Sequence, residues 1–161
     1  MFLSVIKQQQ RSLGALRQFA TINLQTIRRE DVIGARDTNW IGDFVKTLAQ
    51  QGDQTGSHSE ALNEYFRKNF RKMTAPQAKV VISSIAEASK GPIECLDEKF
   101  WVWETLEEAV RGEVEQMSEQ EVDATVAAFY LNFKGSHELR DRLEMRILRF
   151  NWSDELKSDK K

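Results

Sequence analysis

The chain is expected to fold as an all-α protein of stacked antiparallel helix hairpins, a short α-solenoid or helical-repeat bundle. Three observations point there. Only two prolines and eight glycines interrupt its 161 residues, which favours long helices over a turn-dense β fold. Apolar residues recur at three- and four-residue steps along most of the chain. Two capped helix starts, each followed by a glycine stop, also repeat at one fixed distance. A hydrophobic share of 40% fits a folded domain rather than a disordered chain.

The first element is residues 1–21, with the composition of a mitochondrial targeting leader. As a helix it would set Phe2, Val5, Ile6, Leu13 and Leu16 against Lys7, Gln10, Arg11 and Arg17. Such a positively charged amphipathic segment is drawn inward by a membrane potential. Arg17-Gln18-Phe19-Ala20-Thr21 is similar to the pattern cut by the matrix protease. The alternative is an ordinary amphipathic N-terminal helix. Residues 1–29 hold five basic residues and no acid, whereas the rest holds 18 basic and all 25 acidic residues. An acidic body of this kind counts against a nucleic-acid binder.

Residues 22–37 read as a linker, and 38–151 as three hairpins covering about 38–71, 74–114 and 118–151. In the first, Trp40, Ile41, Phe44, Val45 and Leu48 predict a helix ending near Gly52, and Ala61, Leu62, Tyr65, Phe66, Asn69 and Phe70 predict its partner. The second and third begin alike, at Met73-Thr74-Ala75-Pro76-Gln77-Ala78 and Met117-Ser118-Glu119-Gln120-Glu121-Val122. Thr74 with Gln77, and Ser118 with Glu121, have capping-box spacing, and each Met can staple onto the residue after the box. Both first helices stop at Lys-Gly, at Gly91 and Gly135. The caps and the glycines are each 44 residues apart.

Val81, Ile82, Ile85 and Ala88 mark one face of the first helix of the second hairpin. Val122, Val126, Phe129 and Phe133 mark its counterpart. The second helices follow at Phe100, Trp103, Leu106, Val110 and Val114, and at Leu139, Leu143, Ile147 and Phe150. Two of the second helices open on Gly-Ser-His, at Gly56 and Gly135. Residues 152–161 read as a polar C-terminal tail.

The hairpin units resemble the organellar helical-repeat proteins of the pentatricopeptide, octotricopeptide and FAST-kinase-like groups. Met117, Ser118, Val122, Phe129, Gly135, Ser136, Leu139, Leu143 and Ile147 carry the resemblance, which covers about two thirds of the chain. It implies a helical-repeat fold and a role either in organellar RNA handling or as a structural piece of a mitochondrial ribosome or energy-transducing complex. Few units and an acidic body set this chain apart from the RNA-binding members.

No motif of catalysis or cofactor binding is present, so neither an enzymatic activity nor a cofactor is expected. The lone Cys95 offers no paired ligand motif for His58 or His137, and no metal site is expected. No apolar run approaches the roughly 18–20 residues needed to span a bilayer, so membrane association would be peripheral.

The candidate residues are instead those of a partner surface. Eleven acids crowd Glu94–Asp123, among them Glu104, Glu107 and Glu108, as a solvated face or a contact for a basic partner. Arg142, Arg146 and Arg149 would form a stripe for RNA, anionic lipid or protein, with ordinary surface ion pairs as the alternative. Phe100 and Trp103 fit the core spacing, which turns Trp101 partly outward, and Trp152 lies beyond the last expected helix. The expectation is a non-catalytic accessory subunit of a mitochondrial inner-membrane complex, of the respiratory chain or ATP synthase, on the matrix side. The alternative is an RNA-associated repeat protein or mitoribosome component.

Overall fold

The computed structural model describes residues 22–158, and among these every regular element is helical. The leader assigned to 1–21 and the last three residues of the tail lie outside the described part. The segment 22–37 is more than a linker. Ile22 and Val32 are buried in the core, and a short helix α1, Arg29–Ile33, packs against the second helix of the first hairpin.

Local chemistry sets the ends of each helix. α2 spans Thr38–Gln51, where Asp37 accepts a hydrogen bond from the Asn39 N–H at 3.0 Å and Gly52 stops the helix at φ 77°. α3 spans Ser57–Lys68 and buries Ala61, Leu62, Tyr65 and Phe66. α4, Ala75–Ala88, and α6, Glu119–Leu131, both start from reciprocal capping boxes. The Thr74 and Ser118 N–H groups donate to Gln77 and Glu121 Oε1, at 3.0 Å in each case. Met73, Ala78, Met117 and Val122 are all buried, as two hydrophobic staples require.

Between Gly91 and the next helix lies a single 3-10 turn, Glu94–Leu96. α5 then covers Phe100–Val110. It ends earlier than the apolar spacing predicts and continues as a 3-10 segment, Arg111–Gln116, which still buries Val114. α7, His137–Ser158, continues through residues 152–158, so most of the expected polar tail is helix. Phe133 was expected to line the core. It lies beyond the end of α6 at φ 57° and is 77% exposed.

The hairpins stack in two rows. α2, α4 and α6 lie side by side; α1, α3 and α5 form the second row, which reaches α7 through the 3-10 segment. α2 and α4 approach so closely that a Cβ at Gly42 would sit 2.5 Å from Ser84 Oγ. Ion pairs cross the first row between Lys46 and Glu87 and between Lys79 and Glu121, the latter at 2.8 Å. Between the rows lies the core, in which Phe44, Phe66 and Phe129 are among the largest fully buried side chains.

In the second row, each helix caps the next. Asn63 of α3 accepts from the Trp101 N–H at the start of α5, at 2.9 Å. Glu107 of α5 accepts from the Ser136 N–H just ahead of α7, at 2.6 Å. Asn63 and Glu107 are again 44 residues apart. The repeat therefore extends to the contacts that join one unit to the next.

Candidate functional site

The expected site residues fall into three groups. The first lies around the start of α5. Because Asn63 fixes the Trp101 N–H, the helix turns Val102 and Trp103 into the core and leaves Phe100 60% exposed. Phe100, expected in the core, is an outward ring instead, while Trp101 is partly outward as expected. Trp101 is half-buried, with its indole edge-on to Phe70 of the α3–α4 turn at 5.4 Å and to Phe100 at 5.0 Å. Arg71, in the left-handed region at φ 63°, holds its guanidinium 5.1 Å from the Phe70 ring centre.

Helical steps of four, four and three align Phe100, Glu104, Glu108 and Arg111 along one side of α5. Glu108 pairs with Arg111 at 3.0 Å and with Arg71 at 3.9 Å. The result is an aromatic ledge of Phe70, Phe100 and Trp101 fringed by paired charges. Glu107 does not belong to this surface. It is 6% exposed, pairs with Arg111 at 3.3 Å and serves as the cap for the Ser136 N–H. An interior carboxylate held in this way is structural.

The second group is the arginine stripe, which the fold takes apart. Arg142 donates to the Arg111 carbonyl at 2.7 Å and pairs with Glu138 at 3.3 Å. Arg146 donates twice to the Met117 carbonyl, at 3.0 and 3.3 Å, and lies over the Phe150 ring at 4.4 Å. The two guanidiniums satisfy carbonyls at opposite ends of the 3-10 segment and tie α7 to it. Arg149 is exposed and has no ion pair or hydrogen bond among the described residues.

The third group lies on α7. Trp152 is 69% exposed, and sequence reasoning missed its companions Met145, Leu148 and Leu156. Their spacing is the signal that would have found them. At 100° per residue they share a line directly opposite Leu139, Leu143, Ile147 and Phe150, which pack inward.

An open groove of about 740 Å³ lies between the C-terminal ends of α2 and α4, lined by Leu48, Asp53, Ala88, Lys90, Ile93 and Cys95 among others. Burial pushes the Cys95 thiol above its ordinary range and the Asp53 charge adds to this, which disfavours the thiolate. Burial also acts to raise the Asp53 carboxyl, but hydrogen bonds from Ser59 and the proximity of His58 outweigh it and leave it below the ordinary range. His58 packs edge-on against Phe44 at 6.0 Å. Among the described residues no three His, Cys, Asp or Glu side chains gather as a metal site would require.

No family model, curated protein or solved structure matches the chain. What can be said of function therefore rests on these surfaces.

Proposed function

We propose that this chain is a non-catalytic accessory subunit of a larger mitochondrial assembly, held peripherally in an energy-transducing complex of the inner membrane. The observation that carries the reading is the aromatic ledge. Phe70, Phe100 and Trp101 form a rigid edge-to-face group at the surface, with one ring more than half exposed and charged side chains at its margin. Aromatic anchors surrounded by paired charges are what protein–protein hot spots are built from. The basic N-terminal segment supports the address. No helix among the described residues is long and apolar enough to cross a membrane, which accords with peripheral attachment. The RNA alternative loses its main feature, because Arg142 and Arg146 are engaged with backbone carbonyls.

The test is co-migration. After mild detergent extraction of mitochondria, the chain should run on native gels within a complex many times its own 18.6 kDa. Phe100→Glu should release it without altering its melting temperature by more than about 2 °C, since the ring is largely exposed. Migration of the wild-type chain as a free species would overturn the proposal.

A further inference from the structure

The second uncovered surface is the outer face of α7. Met145, Leu148, Trp152 and Leu156 are each more than half exposed. They follow at steps of three, four and four, so they form one continuous apolar line on the side of the helix that faces away from its own core. In a stack of hairpins this is the end face, where a further unit would be placed.

We infer that the occupant is a second copy of this chain, with the two α7 helices pairing in parallel across a two-fold axis near Trp152. Charge selects the partner and its direction. Arg142 and Arg149 flank the apolar line on one side, and Glu144 on the other. With Met145 and Trp152 at one core position of a seven-residue repeat and Leu148 at the other, Glu144 of one copy stands five residues ahead of Arg149 of its neighbour. That is the spacing of interhelical ion pairs in parallel two-stranded coils. Antiparallel pairing would instead set the arginine flanks against each other, and likewise the glutamate flanks. Of Arg142, Arg146 and Arg149, Arg149 is the one left without a partner among the described residues, while Glu144 makes a long contact, 3.4 Å, with the Tyr130 hydroxyl. Covering the exposed parts of the four apolar side chains on both copies would bury roughly 1,000 Å², the lower bound for a specific interface.

This pairing does not depend on the mitochondrial reading and is tested on the purified full-length chain alone. Sedimentation velocity should show a concentration-dependent species of twice the monomer mass. Trp152→Glu should leave a monomer with unchanged far-ultraviolet circular dichroism. Glu144→Arg or Arg149→Glu alone should weaken association by about five- to tenfold, and the double reversal should restore it. In a Cys95→Ser background, Leu148→Cys should form a disulfide dimer on oxidation. An antiparallel arrangement holds those two positions about 12 Å apart along the axis, beyond disulfide reach. A monomer at every concentration, a dimer indifferent to Trp152→Glu, or a dimer that Leu148→Cys fails to cross-link would each overturn the inference. Dimerisation without co-migration in a large complex would sink the proposed function and leave this pairing intact.

Discussion

α5 and α7 hold the same place in successive hairpins, yet one is an interior helix and the other an end. In eleven residues, α5 buries Val102, Trp103, Thr105, Leu106, Glu107 and Val110, because it has α3 on one side and α4 behind it. α7 is twice as long, at 22 residues, and among its described side chains fully buries only Leu139 and Leu143. α5 even brings in polar groups on terms it can meet. The Thr105 hydroxyl donates to the Phe66 carbonyl at 2.7 Å, and Glu107 finds both Arg111 and the Ser136 N–H. α7 keeps its arginines at the margin and its surplus apolar residues outside. Position in the stack and composition go together: three of the eleven residues of α5 are charged, against ten of the 22 in α7.

That comparison can be broken at several points. The largest effect is expected at Phe129, fully buried and edge-on to Trp103 of α5 at 5.5 Å. Phe129→Ala should lower unfolding free energy by roughly 3–5 kcal/mol in urea titrations. Next comes Asn132, whose amide accepts from the Ile93 N–H at 2.7 Å and donates to Ser89 Oγ and the Ala128 carbonyl. Asn132→Ala leaves a buried N–H unpaired and should cost about 1–3 kcal/mol, with faster amide exchange at Ile93.

A smaller effect is expected at Glu121. The Lys79 ammonium, then the Ser118 N–H, hold its carboxyl below the ordinary range. A depressed native value contributes stability above the unfolded-state pKa, which is lost as the solution is acidified through the native one. Glu121→Gln keeps an oxygen for the cap and drops the ion pair. It should therefore cost about 0.5 kcal/mol at neutral pH and nothing once the carboxylate is protonated, a difference that melts at several pH values would reveal. The smallest effect belongs to the end helix. Leu156→Ala should change monomer stability by less than about 0.5 kcal/mol, and a larger loss in dilute solution would mean that α7 is covered from within.

Much of the fold was legible in the sequence because its signals are local. The paired boxes at Thr74–Gln77 and Ser118–Glu121, the glycine stop at Gly52 and the buried faces of α2, α3 and α4 all depend on residues within a turn or two of each other. The docking surfaces were read less well, since they depend on what lies across a row. Phe100 turns outward where α5 begins, and Asn63, thirty-eight residues before Trp101, holds that helix start. Glu107 is indistinguishable from its acidic neighbours until Ser136 arrives beneath it. Arg142 and Arg146 formed a plausible anion-binding stripe until the carbonyls of Arg111 and Met117 came within reach. α1 is one turn and a half long, too short for periodicity to register.

The groove between the ends of α2 and α4 gives the chain a built-in reporter. Its sole thiol sits there, half-covered and held in the protonated form, so an alkylating reagent at neutral pH should label it far more slowly than a free cysteine. Any parting of the first two hairpins would expose it. A rise in the labelling rate of Cys95 would then report such parting, with no probe added to the protein.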